Sequence, residues 1–246
     1  MPIPGLYKIF DHWHQTGACH IISDTHFGED DLKAGISSRP TDDELVKMIN
    51  TKCGRADTLI HLGDVGDLTY VQKLKAKHKI LVMGNHDTGR SNYVRQTFTM
   101  KFDVDAFQKS EALEEMKRLY PNCRYDIQHG YSVSRAPFEY WDVVADNMLF
   151  DEVYEGPLMI AEKLILSHEP VDVPWAFNIH GHNHSKKKNG KLHFNACFDA
   201  TGYEVINFNQ WMKQGYLAHV ETLHRDTINT ATKRKAKRGG KKIGEK

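Results

Sequence analysis

Cysteine is scarce. The chain has four in 246 residues (Cys19, Cys53, Cys123, Cys197), far apart and without a CxxC pair. That spacing excludes a dense disulfide framework and a thiolate zinc site, and leaves free thiols in a reducing compartment, so a cytoplasmic setting is expected. Long apolar runs are missing as well. None approaches the roughly 18 residues of a membrane helix. The N-terminus, MPIPGLYKIFDHWH, has no charged start followed by an apolar stretch, so no signal peptide is expected. Net charge is small too, at +1, with 40% hydrophobic and 26% charged residues, which excludes disorder throughout. Internal repeats are absent.

The small net charge hides an asymmetry. Residues 233–246, KRKAKRGGKKIGEK, hold eight of the 33 Lys and Arg and one of the 32 acids. The body before them is left with 25 basic and 31 acidic residues. One domain over 1–228 with a disordered basic tail over 229–246 is the expected organisation. Such a tail either stays solvated or binds nucleic acid by releasing counterions.

Five short apolar runs read as buried strands: ACHIIS (18–23), DTLIHL (57–62), KILVM (79–83), KLILS (163–167) and WAFNIH (175–180). Thr41 and Glu44 are spaced as a capping box at the start of a helix between the first two. LTYVQKLKAK has helical periodicity between the second and third. Strand and helix in alternation imply α/β units with parallel pairing. Further strands are expected near 148–155, 191–200 and 203–208, and an amphipathic segment over 207–214. Residues 91–147 interrupt the rhythm. They read as an insertion or lid with one helix over 105–120.

Each of the five strands is followed by residues of the metal-ligand type. These are Asp24-Thr25-His26, Gly63-Asp64 with Asp67, Gly84-Asn85-His86-Asp87, His168, and Gly181-His182-Asn183-His184. Open α/β sheets place their sites at such carboxyl ends. Carboxylates, imidazoles and one amide oxygen, without thiolate, suit Mn, Fe, Zn or Ni. Asp24, His26, Asp64, Asn85, His168, His182 and His184 are more ligands than one ion holds. Two divalent ions sharing Asp64, about 3.5–4 Å apart, is the economical arrangement. Such a pair lowers the pKa of a bridging water and neutralises phosphate oxygens.

DTH, GD followed by a further Asp, GNHD, a lone strand-end His and GHxH resemble the calcineurin-like metallophosphoesterase family, over residues 18–184 and in family order. SDTHFG, LGDVGD and MGNHD look like small single-domain bacterial and phage-type members. The resemblance implies a two-sheet α/β sandwich flanked by helices, and phosphoester hydrolysis by a metal-bridging hydroxide. It gives Asp24, His26 and His184 to one ion and Asn85, His168 and His182 to the other, with Asp64 bridging. It makes His86 the acid that contacts phosphate and protonates the leaving oxygen, and Asp67 the acid that orients it. Asp67 also stands where the N-cap of the next helix belongs, and both roles are open. Asp87 falls on a structural position.

Arg39-Pro40 resembles an Arg-Pro pair in relatives with SDTHFG. A guanidinium there would hold a substrate phosphate together with Asn85 and His86; an Arg on the loop before the Thr41 cap is the alternative. Glu29 departs from the His that many of those relatives carry. His20 and His61 lie inside strands and read as core histidines. The remaining histidines, His12 among them, receive no role. The substrate is a phosphate ester, with nucleotides and nucleic acids included and a diester favoured over a monoester. The alternatives are a nuclease that captures substrate with its basic tail and a nucleic-acid-binding protein with a vestigial site.

Overall fold

The structure, a computed structural model, describes residues 3, 5–14, 17–29, 38–104, 112–133, 137–185, 190–221 and 230–234. Five strands form the first sheet: β1 (Cys19–Ile22), β2 (Thr58–His61), β3 (His78–Val82), β7 (Glu152–Tyr154) and β12 (Ile206–Asn207). Their order is β12-β1-β2-β3-β7. All neighbours are parallel except β12, which runs antiparallel to β1. The second sheet is β8 (Leu158–Ala161), β9 (Leu164–Leu166), β10 (Phe177–His180) and β11 (His193–Asn195), in the order β11-β10-β9-β8. Here β9, β10 and β11 are parallel and β8 is antiparallel.

Alternation along each strand explains the sandwich. Cys19, Ile21, Ile60, Leu62, Ile80 and Val82 point from the first sheet into one apolar core with Leu164, Leu166, Phe177 and Ile179 of the second. The intervening Ile22 and Leu59 face outward, where Leu45, Val46 and Ile49 of helix α1 (Asp42–Lys52) cover them. Burial on both faces is why these parallel strands read as continuous apolar runs. The capping box of α1 is present: Thr41 accepts the Glu44 N–H, and Glu44 accepts the Thr41 N–H over 2.8 Å.

Three expectations change. LTYVQKLKAK forms only one helical turn, α2 (Leu68–Val71). The side chain of Asn50 takes the Lys75 N–H at 2.7 Å and donates to the Lys73 carbonyl, and Leu74 and Ala76 turn into the core. The chain leaves the helix early to begin β3. The insertion is not mainly helical: β4 (Thr97–Asp103), β5 (Arg124–Ser132) and β6 (Phe138–Asp146) form an antiparallel sheet, β4-β6-β5. Helix α3 (Ala112–Leu119) covers part of that sheet through Met116, Val143, Ala145, Phe98 and Met100; the expected helical residues 105–111 lie outside the described residues. The run 191–200 splits into β11 and the short helix α4 (Phe198–Thr201).

Helix α5 (Phe208–Lys213) forms where the amphipathic segment was expected. Of the basic tail, residues 230–234 are helical and exposed, and the rest lies outside the described residues.

Candidate active site

The parallel strands of both sheets end along one edge, and their last residues turn there into the ligand loops. Four of the seven predicted ligands hold a left-handed backbone: Asp24 (φ 58°), His26 (40°), Asp64 (56°) and His182 (67°). For residues other than glycine this costs of order 1–3 kcal/mol each, and such strain gathers at functional sites. Two glycines let the loops approach. A Cβ on Gly84 would lie 2.2 Å from Asp64 Oδ1, and one on Gly181 would lie 1.9 Å from Ser23 Oγ and 2.4 Å from Asp24 Oδ2. Any side chain there displaces a carboxylate.

The structure brings all seven predicted ligands together. Asp64 Oδ2 lies 3.5 Å from His26 Nε2 and 3.2 Å from His168 Nε2. On one side, Asp24, His26 and Asp64 offer ligand atoms within 4.8 Å of one another, and His184 Nε2 is 3.7 Å from Asp24 Oδ1. On the other, Asp64, His168 and His182 do the same, and Asn85 Oδ1 lies 2.8 Å from His168 Nε2 and 3.1 Å from His182 Nδ1.

The donor set fits divalent cations. His26 Nε2 is buried and makes no hydrogen bond, although it faces a carboxylate. Burial pushes the Asp24 carboxyl above its ordinary range, partly offset by the charges of His168 and His184. Burial also opposes ionisation of Asp64. There the hydrogen bond and charge of His168, the His86 N–H and His26 prevail, and the carboxyl falls to about 2. Its hydrogen bond to Asp199 raises His184. Burial lowers His168, but Asp64 and Asp24 outweigh it and the net shift is upward.

Groups behind the ligands fix their orientation, and sequence reasoning missed most of them. His26 Nδ1 donates to Glu29 Oε2 over 2.7 Å, His168 Nδ1 to the Leu62 carbonyl over 2.8 Å, and His184 Nδ1 to Asp199 Oδ2 over 2.6 Å. Each bond leaves the other ring nitrogen free to face a cation. Glu29, the departure from the resemblance, thus supports His26; its position three residues on was the available signal. Asp199 carries no such signal, since it arrives from α4. Asp87 accepts the N–H groups of Asp64 (2.9 Å), Val65 (3.1 Å) and Gly84 (2.8 Å), tying two ligand loops together. His61 is a core histidine: Nδ1 accepts the Gly63 N–H at 3.1 Å, Nε2 lies 2.9 Å from Thr25 Oγ1, and burial lowers its pKa to about 4.

For two predicted residues the structure shows the second of the two roles expected of them. The Arg39 guanidinium is buried; it donates to both oxygens of Asp199 at 2.6 Å and to the carbonyls of Asp24 (3.2 Å) and Thr25 (2.6 Å). It braces His184 and the first ligand loop through those contacts. Asp67 caps α2, taking the Thr69 N–H at 2.9 Å, and no hydrogen bond or ion pair joins it to His86. His86 itself is exposed at the mouth, its ring centroid 5.3 Å from that of His26, and its N–H donates to Asp64 Oδ1 over 3.0 Å.

Carboxylates, imidazoles and an amide converging from five strand ends define a metallohydrolase site on an α/β sandwich. The chain belongs to the calcineurin-like phosphoesterase family, whose profile matches residues 20–206. It is a metal-dependent phosphoesterase, and the family uses two divalent metals. Comparison with curated proteins gives no match. The crystal structure of a protein of unknown function from Aquifex aeolicus aligns with 80% of this chain and 98% of its own, at 19% identity and a TM-score of 0.48. Among the described residues, no helix is long and apolar enough to cross a membrane.

Proposed function

We propose that the enzyme is a phosphodiesterase whose two divalent ions share the Asp64 carboxylate. Asp24, His26 and His184 would hold one ion, and Asn85, His168 and His182 the other. The observation that carries this reading is the place of Asp64 Oδ2, 3.5 Å from His26 Nε2 and 3.2 Å from His168 Nε2, between the two sets. When bound, such a pair supplies Lewis acidity that activates water and offsets phosphate charge. Without thiolates, Mn, Fe, Zn or Ni suits the donors.

The remaining work falls to the chain's own residues. His86 lies on the loop after β3, and its main-chain N–H donates to Asp64 Oδ1, which ties the backbone that carries the ring to that carboxylate. From the mouth it donates a proton to the departing ester oxygen. An alkyl phosphate ester, diester or monoester, expels an alkoxide, a poor leaving group that gains most from that proton; the diester is the reading that the substrate panel tests. Glu29, Leu62 and Asp199 keep the ligand imidazoles in the required tautomers. Four free cysteines suit the reducing cytoplasm.

The test is hydrolysis of bis- and mono-(p-nitrophenyl) phosphate, cyclic nucleotides and oligonucleotides by chelated protein with Mn²⁺ added back. Faster turnover of diesters supports the reading. Faster turnover of monoesters sinks the diester assignment, and inertness on the whole panel sinks the hydrolase itself.

A further inference from the structure

A second convergence of ligand types lies at the opposite end of the first sheet. His12 stands on the 3-10 helix Lys8–His14, His78 opens β3, and Glu152 opens β7. Strand β3 separates this cluster from the catalytic loops by about 13 Å, from four steps of roughly 3.3 Å. We propose that His12, His78 and Glu152 form a further divalent-cation site of the zinc class, which fastens the N-terminal segment to the sheet.

As among the candidate catalytic ligands, the donor atoms of these three side chains lie within 4.8 Å of one another. His12 Nε2 and His78 Nε2 lie 2.5 and 2.6 Å from the same oxygen, Glu152 Oε1, with ring centroids 5.6 Å apart. In the catalytic site, His168 Nε2 lies 2.8 Å from Asn85 Oδ1 and 3.2 Å from His182 Nδ1. Two imidazoles and one carboxylate with an open fourth position are a recurrent zinc ligand set. The side chain of His12 is 42% exposed, which gives an ion its entry.

The surroundings orient these donors as they do in metal centres. The Tyr154 hydroxyl donates to Glu152 Oε2 over 2.5 Å, and Trp13 Nε1 contacts both oxygens at 3.2 Å. His78 Nδ1 faces Asp151 Oδ2 at 3.6 Å. A neutral imidazole carries one proton. Without an ion that proton sits on Nε2 and bonds Glu152 Oε1; a cation between the two would take its place, and the ring would then turn its Nδ1–H toward Asp151. Phe10 and Trp13 already seat the helix in the core, so its backbone is placed before the ion arrives. An ion held from three distant segments stabilises only the folded chain.

The test uses metal-free full-length protein dialysed against Zn²⁺, with bound zinc counted per chain by elemental analysis. His12→Ala, a change at an exposed side chain, should bind one zinc fewer than the unmodified protein and hydrolyse bis-(p-nitrophenyl) phosphate at the same rate. Zn²⁺ at about a hundred times its dissociation constant should raise the Tm of the unmodified protein by about 5 °C more than that of the variant. Glu152→Gln should lose the same ion. Equal zinc content in the unmodified protein and His12→Ala, or equal thermal shifts, would overturn the proposal.

Discussion

Replacing Asp87 with Asn tests how the ligand loops are held. The Asp87 carboxylate is 7% exposed and accepts three main-chain N–H groups, those of Asp64, Val65 and Gly84. An amide keeps one acceptor oxygen. Left facing Asp64 and Gly84, that oxygen retains two bonds but surrenders their charge assistance, and the new NH₂ confronts the Val65 N–H. Charge-assisted bonds contribute about 1.5–3 kcal/mol and neutral ones about 0.5–1.5. One bond lost and two weakened give a destabilisation of roughly 2–4 kcal/mol. Urea unfolding of the metal-free protein at pH 7 measures it. The same change loosens the Asp64 loop, so the Mn²⁺ midpoint of activity should rise about 10- to 100-fold. A loss below about 0.5 kcal/mol with an unmoved Mn²⁺ midpoint would refute the reasoning.

Three further outcomes are expected. His86→Gln should keep its metals yet lower kcat by about 10²- to 10⁴-fold on diesters with alkoxide leaving groups, and far less on p-nitrophenyl esters; equal losses on both would remove its role as acid. Arg39→Lys should weaken metal affinity about 10- to 100-fold while leaving KM nearly unchanged, because the guanidinium braces Asp199 and two carbonyls. A raised KM with intact metal binding would return Arg39 to the substrate. Lys79 is buried at 1% exposure, and burial lowers its pKa to about 8. Between pH 8 and 10.5 the unfolded chain binds more protons at this residue, so its contribution to stability rises with pH. Unfolding of wild type and Lys79→Met at pH 7 and pH 10 should show the variant's relative advantage shrinking at the higher pH; a constant difference would contradict this.

The strand ends and the side chains that converge there were legible because each parallel strand is buried on both faces and stops at a polar loop. A motif such as GNHD then marks the place where an apolar run meets the site. The insertion was less legible. In TFTMKFD only Phe98, Met100 and Phe102 alternate, on a half-exposed sheet, and neighbouring charges mask the period. The positioning groups were hidden for a different reason. Asp199 reaches His184 only through the folding of α4, and Arg39 reads as a loop cation until its Nη1 is seen on both oxygens of Asp199. Local patterns announce what chemistry needs; long-range contacts that hold it in place leave no spacing to read.

The central claim, a shared Asp64 between two ions, is tested most directly by the metal dependence of diester hydrolysis. Bis-(p-nitrophenyl) phosphate turnover should vanish in chelated wild type and return with Mn²⁺, while Asp64→Asn stays inactive at every Mn²⁺ concentration. Chelated protein at full rate, or Asp64→Asn restored by Mn²⁺ to the wild-type rate, would contradict it.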